Sequence, residues 1–202
     1  MEWADGKIRC RWVNPKNERY IRYHDEEWGV LVHVDQKLFE MLILECFQAG
    51  LSLECVLNKR EAFREAFDGF DFEKVCAYTE DKLKVLRSNP GIIRNRLKMQ
   101  VAVTNARVFR EIQKEYGSFS EYLWRWTDSK VVYEIGKTSS ELSDRISKDM
   151  KKRGMKFVGS KVNYAYLHAV GVIYSHENNC FLANQGAEHD SVATAPVSFG
   201  IS

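Results

Sequence analysis

Proline is scarce, three in 202 residues, and no stretch alternates convincingly between apolar and polar at the two-residue period of a half-buried strand. These two absences argue against a sheet-based fold and for helices joined by short turns. No apolar run approaches the length of a membrane span, and the first ten residues, MEWADGKIRC, have no signal-peptide core. A cytoplasmic protein with no membrane partner is expected. The five cysteines are odd in number and lack framework spacing, which points to a reducing compartment rather than to disulfides. An excess of one charge is also missing: 30 Lys and Arg stand against 28 Asp and Glu, a net +2. What remains is an ordinary globular composition, 45% apolar and 29% charged, enough for one large core.

The helical segments can be read from their caps and spacing. Asp35 can cap a helix from Gln36 to about Gln48, and Leu51–Leu57 and Lys59–Phe67 are shorter apolar stretches. Asp71 can cap 72–77, and Thr79 can cap a segment through Leu86. Asn89-Pro90-Gly91 is a turn. A long helix is expected from Ile92 to about Tyr116, with Gly117 as its stop. Ser118 or Ser120 opens the aromatic stretch around Tyr122 and Trp124. Further helices are expected from Ser139 or Ser140 to about Arg153, and from about Lys161 to Tyr174. The expectation is one helical domain over 1–183. After Cys180 the chain turns to Ala, Ser, Asn and Gly, so a disordered tail is expected over 184–202.

The charge is balanced in total but not in distribution. Val85 to Lys98 holds Arg87, Arg94, Arg96 and Lys98 and no acid. Ser147 to Lys161 holds Lys148, Lys151, Lys152, Arg153, Lys156 and Lys161 against Asp149 alone. Such clusters are usually solvated helix faces. In the second one, however, Gly154 and Gly159 bracket a short turn between two helices, a helix–hairpin–helix. Glycines let backbone approach a ligand closely, and the next helix offers free N–H groups. Phosphate is the natural ligand, with the lysines neutralising it. An ordinary helix–helix corner would look the same.

Three other features point to a site. Cys10 with His24, and His176 with Cys180, lie near opposite ends of the chain. Two sulfurs and two imidazoles make the closed tetrahedral set that structural zinc takes, although two unrelated Cys/His pairs would read alike. Glu45 shares a helical face with Leu38 and Leu42, whereas Lys37 and Glu40 look placed for solvent. A carboxylate on an apolar face costs several kcal/mol unless paired. It is either half of a buried structural pair or the floor of a polar pocket with a shifted pKa. Trp12, Tyr20, Tyr23 and Trp28 surround His24 in sequence. Such aromatics stack flat bases, or simply pack a loop-rich N-terminal layer.

Arg9-Cys10-Arg11-Trp12, Tyr23 to Gly29, Leu38-Phe39-Glu40, Leu44-Glu45 and Gln48 to Ser52 resemble the bacterial DNA-3-methyladenine glycosylase I family. So do Gly91 to Arg96, Asn105-Ala106, Lys151 to Gly154 and Lys156 to Gly159. The resemblance runs in order from about Arg9 to Cys180. It implies an all-α fold of the helix–hairpin–helix DNA glycosylase superfamily. It also implies one structural Zn2+ held by Cys10, His24, His176 and Cys180. The implied reaction is excision of 3-methyladenine from double-stranded DNA without strand cleavage, releasing the free base. A monomer is expected. By position, Glu45 matches the family's pocket carboxylate and is the expected catalytic residue. Tyr23 matches its hydrogen-bonding tyrosine, and Trp28, Trp12 and Tyr20 match pocket-wall aromatics. DNA contacts are expected from Lys151, Lys152, Gly154, Lys156, Gly159 and Lys161.

The chain departs from that family at several positions. Leu53 stands where a base-stacking tryptophan is usual, Cys46 where glycine is, Leu31 where proline is, Lys161 where threonine is, and His168 where glutamine is. Losing the tryptophan removes roughly 1–3 kcal/mol of stacking, though Leu53 keeps an apolar wall for the base. The alternative reading is a zinc-stapled helical DNA-binding protein with lost or redirected catalysis. Leu53 favours that alternative; Glu45 and Tyr23 oppose it. Zinc-dependent hydrolysis fits poorly, because four protein ligands leave no open position for water.

Overall fold

The protein is described from a computed structural model that covers Trp3 and residues 5–183. The tail expected over 184–202 falls outside the described residues. Among these, nine α-helices surround one large core, and a single pair of two-residue strands completes the fold.

The first helix, α1 (Glu18–Glu26), lies where the sequence suggested only a loop-rich layer. The Asn17 side chain accepts hydrogen bonds from the Arg19 and Tyr20 N–H groups and so opens it. Helix α2 (Asp35–Gln48) is the centre of the molecule. Leu38 through Phe47 are buried without interruption, and the helix touches four others: α3 (Leu53–Ala66), α6 (Arg96–Tyr116), α7 (Phe119–Trp124) and α9 (Ser160–Ala169). Each fully buried Leu, Ile or Phe on it contributes about 1.5–3 kcal/mol before entropy is counted.

Asp35 does not cap its own helix. Its carboxylate accepts from the Phe119 and Ser120 N–H groups at 2.8 and 2.9 Å, so it ties the start of α7 to the start of α2. The two apolar stretches predicted at 51–57 and 59–67 form one helix, α3, capped by Ser52. Asp71 and Thr79 cap α4 (Phe72–Cys76) and α5 (Glu80–Ser88) as expected. Helix α6 starts at Arg96 rather than Ile92, because the Asn95 side chain provides the cap.

Helix α8 (Glu141–Lys152) opens with a capping box between Ser140 and Ser143. A seven-residue turn, 153–159, leads into α9. Asn105 of α6 clamps that turn from both sides. Its Nδ2 donates to the Lys156 carbonyl, and its Oδ1 accepts from the Lys156 N–H, both at 2.9 Å. Ser147 and Asn163 both donate to the Val158 carbonyl.

The last predicted helix ends at Ala169, not Tyr174. Gly171 breaks it at φ +79°, and Ile173–Tyr174 (β2) pairs in parallel with Val132–Tyr133 (β1). The break brings residues 29–32 against the end of α9. Gly29 N–H donates to His168 O, and Val32 N–H donates to Val170 O. A Cβ on Gly171 would lie 2.6 Å from the Val30 carbonyl carbon and oxygen. Gly171→Ala is therefore expected to cost about 3 kcal/mol, from the left-handed backbone and the backbone clash together. Urea unfolding measures this; an unchanged midpoint would show that the Val30 segment is free to move away.

Candidate active site and metal centre

The last turn of α2 carries Glu45 into a cavity of about 360 Å³. Trp12, Tyr23 and Trp28 line it from the N-terminal layer, and Gln48 and Leu53 from the junction of α2 and α3. Helix α9 adds Lys161, Tyr164 and His168, and the segment ahead of α8 adds Lys137 and Thr138. Five of the six residues expected in a base pocket thus meet in one place. Tyr20 does not line the cavity. It stands behind Trp12, with ring centroids 5.7 Å apart, because α1 turns it to the outer side of that ring.

Glu45 makes no side-chain hydrogen bond or ion pair among the described residues. Burial alone pushes its carboxyl up to about 8. The structural pair that the sequence left open belongs instead to Glu40, expected in solvent but buried. Glu40 meets Arg60 at 2.8 Å and Arg64 at 2.9 Å. Burial raises Glu40, but the Arg60 and Lys37 charges outweigh it and leave it below its ordinary value. Tyr23, also buried, has its hydroxyl pushed well up by burial and by the facing Glu45.

His168, marked in the sequence only as a departure from the family's glutamine, also lines the cavity. Its Nε2 is buried with no partner among the described residues. Burial lowers its pKa to about 4, so it is a neutral imidazole near pH 7. Its ring meets Trp28 edge-on at 5.5 Å. Tyr164 and His168 stand four apart on α9, a helical spacing that could have marked a shared face. Lys137 and Thr138 left no comparable signal.

Cys10, His24, His176 and Cys180 are all buried, and their ligand atoms lie within 4.8 Å of one another. This group could hold a metal ion. Cys10 Sγ and Cys180 Sγ each lie 3.6 Å from His176 Nδ1, and Cys180 Sγ lies 3.5 Å from His24 Nε2. The outward ring nitrogens are occupied: His24 Nδ1 meets the Asp25 carboxylate at 2.7 Å, and His176 Nε2 donates to the Trp28 carbonyl at 3.2 Å. Arg9 in turn holds Asp25 through two nitrogens. Both imidazoles therefore turn a lone pair inward, that of His24 accepting a long hydrogen bond from the Cys10 N–H at 3.5 Å. Trp28 also packs on His176, with centroids 4.6 Å apart, so the cluster and the cavity share a wall.

At the turn, Lys151, Lys152, Lys156 and Lys161 are exposed. Gly154 has φ +105°, but Gly159 sits at φ −66° as the residue before α9. The second positive φ of the turn belongs to Phe157, at 55°. Space beside Gly159 is open, with nothing within 4 Å of where a Cβ would lie. Lys98, part of the other basic run, is buried and donates to the Phe47 carbonyl at 2.8 Å, closing the end of α2.

Comparison with known proteins agrees with this arrangement. A family model described as methyladenine glycosylase matches residues 12–183. DNA-3-methyladenine glycosylase 1 of Escherichia coli (strain K12) is 41% identical over 179 residues, covering 85% of this chain and 95% of that protein. A crystal structure of 3-methyladenine DNA glycosylase I superposes with a TM-score of 0.82 at 39% identity, over 86% of this chain and 98% of the other. A tyrosine-to-phenylalanine variant of such an enzyme, solved in complex with 3-methyladenine, superposes with a TM-score of 0.80 at 33% identity, over 82% and 92%. With a match running from the cavity's first aromatic, Trp12, past the last Cys/His residue, Cys180, the chain belongs to the methyladenine glycosylase family.

Proposed function

We propose that this protein is a DNA-3-methyladenine glycosylase that hydrolyses the N-glycosidic bond of the alkylated base in duplex DNA and cleaves no strand. The observation that carries this reading is a carboxyl group without a counter-charge at the floor of an aromatic cavity. Residues 1–183 form the catalytic domain, acting as a monomer in the cytoplasm.

Methylation at N3 leaves the base cationic while it is still attached to the sugar, and so makes it a good leaving group. The protein's part is to take the nucleotide out of the stack and hold it. Trp12, Trp28 and Leu53 enclose the flat faces, and Glu45 and Tyr23 meet the polar edge. The positive charge of the base favours the ionised carboxyl, so Glu45 releases its proton to solvent and pairs with the base. As the C1′–N bond breaks, positive charge develops at C1′ and the base leaves neutral; water adds to C1′ and its proton passes to solvent. No lysine nucleophile is required, so the abasic strand stays intact. Beside the cavity, which Lys161 also lines, the α8–α9 helix–hairpin–helix holds the phosphate backbone. Gly154 and Gly159 give it close approach, and Lys151, Lys152, Lys156 and Lys161 neutralise the charge.

The Cys/His cluster fits zinc. Zinc–sulfur bonds of about 2.3 Å and zinc–nitrogen bonds of about 2.0–2.1 Å in a tetrahedron separate S and N ligands by about 3.6 Å. Three of the four S···N separations here are 3.5–3.6 Å. With all four positions taken by protein, the ion's role is to join the two ends of the chain behind Trp28. Purified protein is expected to hold one zinc per chain, and Cys180→Ser to lose it and melt roughly 10 °C lower. Stoichiometric zinc surviving in Cys180→Ser, read by elemental analysis, would exclude this ligand set.

Excision kinetics on a duplex containing 3-methyladenine test the central reading. Glu45→Gln is expected to slow base release on the order of 100-fold, with binding to undamaged DNA unchanged. Wild-type release should rise with pH toward about 8, while Glu45→Gln stays flat. Stability should move the other way. The folded carboxyl titrates above its ordinary value, so the folded state binds the extra proton between about pH 4.5 and 8. Wild-type stability therefore falls by roughly 1.4 kcal/mol per pH unit across that window relative to Glu45→Gln. Equal excision rates for the two proteins would remove Glu45 from the mechanism. No excision by wild type with intact zinc and DNA binding would leave a non-catalytic DNA-binding protein.

Charge reversal at Lys152 and Lys156 should weaken binding to every duplex and flatten its salt dependence by about one unit of slope per lost contact. An unchanged slope would remove the hairpin from the interface.

A further inference from the structure

Over much of this surface, cations are tied to acids. On α5, Lys82 reaches Asp68 at 2.9 Å, Lys84 reaches Asp81 at 2.8 Å and Arg87 reaches Glu80 at 2.7 Å. On α6, Arg110 reaches Glu73 at 3.3 Å and Lys114 reaches Glu111 at 2.8 Å. Even Arg153, the first residue of the hairpin turn, is held by Asp149 and Glu115. A minority of the exposed cations make no ion pair or side-chain hydrogen bond among the described residues. Lys16, Arg22, Lys130 and Lys148 are scattered examples; Lys151, Lys152, Lys156 and Lys161 gather at the hairpin, and Arg94 and Arg96 stand together at the α5–α6 junction, where the Arg96 charge also helps to lower the Glu80 carboxyl.

Arg94 and Arg96 lie where α5 joins α6, and this segment is firmly braced. Lys59 of α3 donates to the Gly91 carbonyl at 3.2 Å, and Gly91 N–H donates to Asn89 Oδ1 at 2.8 Å. Asn95 caps α6 through the Lys98 N–H at 3.0 Å. The Lys98 ammonium is fixed on the Phe47 and Ala49 carbonyls, at the end of the helix that carries Glu45. It also lies 5.9 Å from the ring of Phe157 in the hairpin turn. The segment is therefore fastened to α2 and α3, which supply Gln48 and Leu53 to the cavity, and it adjoins the hairpin through Lys98.

We propose that Arg94 and Arg96 form a second phosphate-binding contact for duplex DNA, on the α2–α3 side of the cavity and distinct from the hairpin. The inference rests on the DNA glycosylase reading above. Its physical logic is mechanical. A nucleotide is drawn out of a duplex against its stacking, and a duplex held at one point pivots rather than yields. Two anchors on different sides of the cavity hold the flanking backbone while the base moves. Arginine suits the task because its planar fork pairs with phosphate oxygens through two hydrogen bonds.

The test compares Arg94→Gln/Arg96→Gln with wild type in the full-length, zinc-containing protein, on undamaged and 3-methyladenine-bearing duplexes from about 50 to about 200 mM salt. The double variant should weaken binding to both duplexes and reduce the magnitude of the log–log salt slope by about two, one for each lost contact. The melting temperature and the affinity for free 3-methyladenine should stay at wild-type values, because both residues are exposed and neither lines the cavity. Arg94→Lys/Arg96→Lys should keep most of the slope. An unchanged slope in the Gln variant, with wild type excising normally, overturns this inference and leaves the glycosylase reading standing. A wild type that neither binds nor excises overturns the glycosylase reading itself, and this inference with it.

Discussion

An acid held inside a protein without a counter-charge has to be supported by everything around it, and Glu45 sets that requirement here. A carboxyl raised to about 8 by burial costs folding free energy at neutral pH. The uninterrupted buried run from Leu38 to Phe47 anchors α2 in the core and so fixes the backbone that carries the carboxyl at the cavity floor. Arg60 and Arg64 are engaged with Glu40 and its neighbours and give Glu45 no partner. Both acids stand on one helix. Glu40 uses its charge for packing, and Glu45 keeps its charge in reserve for a ligand.

The wall opposite that acid comes from residues far away in the chain. Trp12 and Trp28 touch each other at 4.8 Å, and both pack on members of the Cys/His cluster. Indole rings in an N-terminal layer with one short helix would be poorly fixed by packing alone. The cluster joins residues 10 and 24 to residues 176 and 180, and a small second core of Val13, Leu182 and their neighbours closes around it. Gly171 completes the support by letting residues 29–32 lie flat on the end of α9. The Cys/His cluster, the glycine break and the tryptophan wall are therefore one mechanical unit, although none of them contains a reacting group.

Legibility in the sequence followed the range of each interaction. Caps at Asp71, Thr79 and Ser140 are local hydrogen bonds, and they stood out. Asp35 looked like another but caps a helix 84 residues away, a partner that no local pattern reveals. Helix α1 was missed because its buried side chains are a tyrosine and a histidine, which do not form an apolar stripe. The end of α9 was overrun because the apolar run through Tyr174 reads the same in a buried helix and a buried strand. In the site, Glu45 was conspicuous as a charge among apolar residues. Tyr20 was misplaced because sequence proximity to Tyr23 says nothing about which side of Trp12 it takes.

Leu53 bears on how the cavity discriminates between bases. An aromatic wall at that position would grip any flat base by stacking, worth roughly 1–3 kcal/mol, and a cationic base more tightly still through the face of the ring. An aliphatic wall gives up part of both attractions. What remains at the floor is a carboxyl that is neutral in the free protein. A normal, neutral base leaves it protonated and gains one ordinary hydrogen bond. A base cationic through alkylation shifts the proton equilibrium and gains an ion pair in a water-poor site, where charge pairing is several times stronger than in bulk water. His168, neutral because burial holds it near 4, adds no positive charge to repel such a ligand. On the proposed reading of the cavity, Leu53 thus leaves the sensing of the base's charge at that end mainly to the Glu45 carboxyl.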